Sequence, residues 1–298
     1  MRVRIIIGGN PISEKSPGGN KYFILGDERV LHTKAPEIFS AIMNKAGVIG
    51  SYEPFVVSPG KLSEAIREIR RLNIAGANVT TPYKETIIPH LDELSEGAAI
   101  IGSINTIVRK GNKLKGYNTN AIGFMDAMKE AGLDASGKSA LVFGTGGAAR
   151  AVIFILNWIH ANPILVAGRS QNKVTAIVKQ IGGEAVSLNT LSDRLLPVNI
   201  VINATSVSSP DEAPDMAEMV NLLNLPNCEM VIDLNYGRPR NFWREMARNK
   251  GILFMDGFSS LANQARSTFA LWTGIEVKQE IIDTVIKDST EEQYPLRP

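Results

Sequence analysis

"SALVFGTGGAARAVIFILNWI", residues 139–159, is the stretch whose reading decides the fold. A short apolar run stops abruptly at Gly144 and resumes after Gly147 with helical spacing. Gly144 lets the chain turn sharply off a buried strand. Gly146 and Gly147, followed by Ala148, let the N–H groups that open the next helix approach a pyrophosphate. A glycine-rich turn can also be purely structural, but the strand before it and the helix after it are the flanks that a nucleotide loop requires.

Which nucleotide is decided at the end of the following strand. An NAD site wants an acid there for the ribose hydroxyls, and a 2′-phosphate wants arginine. The sequence reads "VAGRSQNK" (166–173), with no acid but with Arg169, Ser170 and Lys173. Arg169 can bind a phosphate with two parallel hydrogen bonds and Lys173 adds a point charge, so NADP is the expected cofactor. The alternative is a solvated helix start with two incidental cations.

Outward from this loop, short β-branched runs alternate with helical stretches. "NKVTAIVKQIG", a weaker strand near 185–188, "VNIVINATS" and "EMVIDLNY" continue a doubly wound nucleotide domain. Upstream, the reading gives a strand at 3–7, a Gly/Pro/Ser-rich loop at 8–20 and a strand at 22–25. A helix follows, carrying Ile38 and Ile42 on one face, with Pro36 near its start and Gly47 as its stop. "YEPFVV", "KLSEAIREIRRLN" and "IAGANVTT" then read as strand, helix and strand, which predicts a mainly parallel sheet with covering helices. The 107–117 region reads as a strand, and a helix begins near Ile122. Downstream, "LANQARSTFALWTG" is amphipathic with Leu261, Ala265, Phe269 and Trp272 on one face, and the polar residues 288–298 read as frayed.

Composition narrows the function classes. The chain has 298 residues, enough for two domains, with 44% apolar and 21% charged residues and a net charge of +2. That balance argues against a nucleic-acid or membrane-surface partner and for a small-molecule substrate. Cys228 is the single cysteine, which excludes an intrachain disulfide, and with three histidines no zinc-site spacing occurs. No metal is expected. The N-terminal apolar run, 5–7, is too short for a signal peptide, so a cytoplasmic protein is expected, as monomer or homodimer.

Three segments upstream of the glycine loop end in Asn/Thr clusters. "GANVTTPYKE" supplies Asn78, Thr80 and Lys84, "IGSINTIV" supplies Asn105 and Thr106, and "GYNTNAIG" supplies Thr119 and Asn120. An asparagine among apolar neighbours needs hydrogen-bond partners from backbone or ligand. Together with one lysine these residues suit a hydroxyl-rich ligand.

In order, NVTTPYK, INT, GYNT, GTGGAARA, GRS, INATS, DLNY and NQARSTFALWTG resemble the shikimate dehydrogenase family over roughly residues 22–276. The resemblance implies an α/β substrate domain (1–121 and 262–298), a Rossmann-type NADP domain (122–261), and a C-terminal helix returning to the first. It implies a cleft between the two domains and reversible NADP-linked hydride transfer between 3-dehydroshikimate and shikimate. Lys84 matches the catalytic lysine. Asn78, Thr80, Asn105, Thr119, Tyr236 and Gln264 match substrate-side positions. Asn203, Thr205 and Ser206 match positions along the cofactor, and Gly257 one near the nicotinamide.

The chain departs from that pattern in three places. Asn120 stands where the family has its catalytic aspartate, and an amide cannot take a proton. In "HTKAP" (32–36), Thr33 and Ala35 replace the two serines that hold the substrate carboxylate. Residues 1–21 then form an N-terminal extension. These departures leave open a quinate-like or amino-substituted substrate, or a low-activity or non-catalytic member that binds nucleotide and metabolite. A dehydrogenase of a folate derivative fits the Asn/Thr set less well.

Overall fold

A computed structural model describes residues 19–291, so the strand expected at 3–7 and most of the loop after it lie outside the described residues. The chain divides into two compact units, Met1–Thr119 with Ala262–Pro298, and Asn120–Leu261.

The first unit holds β1 (Asn20–Gly26), α1 (Ala35–Lys45), β2 (Gly50–Val56), α2 (Leu62–Arg71), β3 (Gly76–Val79), β4 (Glu93–Leu94), α3 (Glu96–Ile101), β5 (Thr106–Lys110) and β6 (Lys113–Tyr117). Its sheet runs β2-β1-β3-β5-β6-β4. β1 pairs in parallel with β2 and β3, and β4 with β6, while β5 is antiparallel to both β3 and β6, so the sheet is mainly parallel with one reversed strand. The single strand expected over 107–117 is a hairpin, with Lys110 opposite Lys113 and Gly111 at φ +59°. A two-residue turn needs positive φ at its first central position, which glycine adopts without strain. Burial follows the helical period in α2, where Leu62, Ala65, Ile66 and Ile69 face the core with Phe23, Leu25 and Phe55.

The second unit follows with α4 (Thr119–Glu130), β7 (Ala140–Phe143), α5 (Gly147–Trp158), β8 (Ile164–Ala167), α6 (Gln171–Ile181), β9 (Glu184–Val186), β10 (Ile200–Asn203), α7 (Pro214–Leu222), β11 (Met230–Asp233), α8 (Phe242–Lys250) and β12 (Leu253–Met255). The sheet order is β12-β11-β10-β7-β8-β9, with every pairing parallel. This is the doubly wound order whose reversal point lies between β7 and β10. β7, β10 and β11 are buried at every residue, as strands covered by helices on both faces must be.

Two helices end the described chain, α9 (Phe258–Thr273) and α10 (Gln279–Glu291). From Ala262 on, α9 belongs to the first unit, where Ala262, Ala265, Thr268 and Phe269 form its buried stripe. Trp272 is only half-buried. It stacks on Tyr22 at 4.7 Å, donates from Nε1 to the Ile107 carbonyl (2.9 Å), and lies so close over Gly76 that a Cβ there would overlap the indole. α10 carries helix to Glu291, beyond Asp288, where fraying was expected to begin.

Candidate functional site

In the first unit, the Asn/Thr clusters at the ends of β3, β5 and β6 meet in one buried hydrogen-bond network. Asn78 accepts from Tyr52 Oη (2.8 Å) and donates to the Asn105 carbonyl (3.1 Å) and to Thr106 Oγ1 (3.2 Å). Asn105 is locked in orientation: its Oδ1 accepts the Thr119 N–H (2.7 Å) and its Nδ2 donates to Thr119 Oγ1 (2.8 Å). The hydroxyls of Thr106, Thr119 and Thr268 close a triangle with sides of 3.0, 2.9 and 3.2 Å. Gln264, one helical turn before Thr268, donates from Nε2 to Thr268 (2.8 Å) and lies 3.3 Å from Thr119 Oγ1.

This arrangement sorts the expected substrate-side residues. Thr119 is wholly buried and Asn78 nearly so, and their polar atoms bond to protein. They hold their neighbours in place and do not present free groups outward. With Nε2 engaged, Oε1 is the atom Gln264 offers, so it suits a hydroxyl donor on a ligand. Asn118, from the same polar stretch, donates to the Ser103 carbonyl at 2.8 Å.

Lys84 sits in the turn after β3. Its neighbour Tyr83 is buried and donates to the Val57 carbonyl (2.7 Å), while the Lys84 carbonyl accepts from the Ile104 N–H (2.8 Å). The turn is thus tied down on both sides. The Lys84 side chain is half-buried, and loss of hydration pushes its amine down to about 8. Thr80 is half-buried beside it in sequence, its N–H bonded to the Leu25 carbonyl at 2.9 Å. Thr33 ends a short 3-10 turn, and its Oγ1 accepts the Ala35 N–H at 3.3 Å.

In the second unit the strand-end loops fit a nucleotide. Gly144 has φ +124°, and a Cβ there would lie 2.8 Å from the Ala204 carbonyl oxygen, so no other residue makes this turn without strain. Gly146 is the N-cap of α5 and makes no side-chain cap bond, and a Cβ on it would meet nothing within 4 Å. The first turn of α5 therefore has no side-chain cap from its N-cap residue and open space beside Gly146, which suits an anion site. Arg169 is exposed just after β8 and Lys173 is exposed in the first turn of α6, whose N-cap, Ser170, makes no cap bond. Gly257 packs so tightly on the Leu234 carbonyl that a Cβ would overlap it. Ser206 and Tyr236 are exposed, and Asn120 is half-buried in the first turn of α4.

Asn203, expected along the cofactor, is wholly buried, and its side chain instead shapes the loop after β10. Its Oδ1 accepts from the Thr205 N–H (3.1 Å) and hydroxyl (2.7 Å).

Comparison with known proteins places this geometry. The model of the shikimate dehydrogenase substrate binding domain matches residues 24–107, and that of shikimate / quinate 5-dehydrogenase matches residues 126–256. The chain belongs to the shikimate/quinate dehydrogenase family. Within the family it is 35% identical over 263 residues to the shikimate dehydrogenase (NADP(+)) of Caldanaerobacter subterraneus subsp. tengcongensis, covering 85% of this chain and 92% of that one. It resembles the crystal structure of the Aquifex aeolicus shikimate dehydrogenase with a TM-score of 0.80 at 30% identity, covering 91% and 98% of the two chains. The Thermus thermophilus shikimate 5-dehydrogenase, solved in complex with NADP(H) and shikimate, aligns with a TM-score of 0.77 at 32% identity over 91% and 99%.

Sequence reasoning missed Tyr52 and Thr268 in the hydrogen-bond network of the first unit. Thr268 carried one usable signal, its place four residues after Gln264 on the same helical face. Tyr52 carried none. Among the described residues no group of His, Cys, Asp and Glu could hold a metal ion, and no helix is long and apolar enough to cross a membrane.

Proposed function

We propose that the chain is an NADP-dependent dehydrogenase interconverting 3-dehydroshikimate and shikimate, or a closely related cyclic polyhydroxy acid. Residues 1–121 and 262–298 form the substrate domain, and 122–261 the NADP domain. The observation that carries this reading is that both family models match along the chain, with Lys84 in the turn that follows the strand bearing Asn78, its carbonyl bonded to the Ile104 N–H next to Asn105. NADP, when bound, supplies the hydride acceptor. Gly146, Gly147 and Ala148 offer backbone N–H groups to its pyrophosphate, and Arg169, Ser170 and Lys173 offer donors to its 2′-phosphate.

In the oxidative direction the neutral amine of Lys84 takes the proton of the reacting hydroxyl as its C–H bond loses hydride. In reverse, the ammonium returns that proton to the carbonyl oxygen. Thr80 and Gln264 orient ring hydroxyls, with Asn78, Asn105 and Thr119 acting through them. Thr33 gives one hydroxyl to the far end of the substrate, where Ala35 gives none. Asn120 orients a hydroxyl without carrying charge, which leaves acid–base work to Lys84 alone.

The test is NADPH absorbance with shikimate, quinate and amino analogues, using NADP and NAD, beside calorimetric titration of NADP and shikimate. Turnover with NADP and a cyclic polyhydroxy acid is expected. Binding of both without an absorbance change would support the second reading, a low-turnover binder, which Asn120 and Ala35 favour. Asn120→Asp, which restores the aspartate of the family pattern, should raise the midpoint of the oxidative pH profile by about one unit, because a carboxylate partner stabilises ammonium. An unmoved midpoint would separate position 120 from Lys84.

A further inference from the structure

Asp233, the last residue of β11, is wholly buried, and the hydrogen bonds at its side chain all come from amide N–H donors. Its Oδ1 accepts from Asn203 Nδ2 (2.8 Å), the Asn235 N–H (3.0 Å) and Asn235 Nδ2 (2.9 Å), and its Oδ2 accepts from Asn241 Nδ2 (2.7 Å). None of these amides can turn round freely. Asn203 Oδ1 is held by the Thr205 N–H and hydroxyl, and Asn241 Oδ1 caps α8 by accepting from Trp243 and Arg244 N–H groups, both at 3.0 Å.

The ring reaches the other strand-end loops. Asn235 Nδ2 also donates to the Thr205 carbonyl (3.0 Å), and the Asn235 carbonyl accepts from the Gly257 N–H (3.0 Å). The Ala204–Thr205 peptide is the one against which Gly144 packs. One carboxylate therefore orients the amides of Asn203 and Asn235, which bind the loop after β10, while Gly144 packs on that loop and Gly257 bonds the Asn235 backbone. These groups all lie at the carboxyl ends of the strands, where a doubly wound sheet receives its nucleotide.

We propose that Asp233 is a positioning residue for NADP, acting through Asn203 and Asn235 on the peptide that supports Gly144. The proposal rests on the NADP reading of this unit. Asp233→Asn puts an N–H donor opposite Asn241 Nδ2, and turning the new amide would put it opposite Asn203 and Asn235 instead. Asp233→Asn with Asn241→Asp restores every donor–acceptor pair: residue 233 keeps its oxygen for Asn203 and Asn235 and donates to residue 241. Aspartate is also a good cap for α8.

The experiment compares wild type, the single variant and the double variant for NADP affinity by titration, and for the KM of NADP and of shikimate. The single variant should weaken NADP binding about tenfold, with the KM of shikimate within twofold of wild type, and the double variant should return NADP binding to within about threefold. Equal NADP affinity in wild type and single variant would overturn the proposal, and so would a double variant that fails to fold or to bind. If the single variant does not fold, the double variant decides alone. Wild type that binds no NADP would instead sink the functional reading itself.

Discussion

Lys84→Met should lower turnover by about 10²–10⁴ while leaving NADP affinity in place, because it removes the group we propose as the acid–base catalyst. Steady-state rates with saturating NADP check this, and full turnover would end the acid–base role. In wild type the pH profile follows from the amine held near 8. Oxidation needs the neutral amine, so its kcat/KM should rise with pH through about 8, and the reductive rate should fall over the same range. The stability sign is opposite to that of a salt-bridged lysine. The folded value, about 8, lies below the ordinary 10.5, so between them the unfolded chain binds more protons and stability rises with pH. Below that window burial of the charge opposes folding, so Lys84→Met should raise Tm at neutral pH. The difference should disappear above 10.5. A site residue that weakens the fold it serves is a common trade.

Arg169→Ala should raise the KM of NADP by about ten- to a hundredfold and leave that of NAD unchanged, since a lost charge-assisted bond to phosphate costs about 1.5–3 kcal/mol. The prediction depends on position. Arg169 is exposed just after β8, where the sequence Gly168-Arg169-Ser170 supplies no acid for a ribose hydroxyl. Lys173, two residues into α6, is a point charge that cannot replace the planar fork. Parallel measurement with both nucleotides gives the ratio, and an unchanged ratio would remove Arg169 from cofactor choice.

The parts of the fold that were legible are those where burial leaves a local mark. β7, β10 and β11 are buried on both faces and so read as unbroken apolar runs between helices. The β5–β6 hairpin was read as one strand because its turn is only Gly111-Asn112 between lysines. β4 and β12, of two and three residues, are too short to carry a period. At the site, Asn105 stood out as a polar residue amid apolar ones and Lys84 through its match to the family motif, whereas Thr268 meets Thr106 across 162 positions. Asp233 was hidden for a related reason. Its donors come from β10, the loop after β11 and the start of α8, and only the folded sheet brings them together.

The seating of Trp272 over Gly76 and Tyr22, with Thr268 closing the hydroxyl triangle, also dictates an order of assembly during translation. Residues 120–261 are contiguous and can finish their sheet as soon as they leave the ribosome, but the earlier-made first unit waits for residues 262–273. Until then its aromatic face is bare and its inner hydroxyls lack their third member. A stop codon before residue 262 would leave that unit without its closing helix although every strand of its sheet had been made.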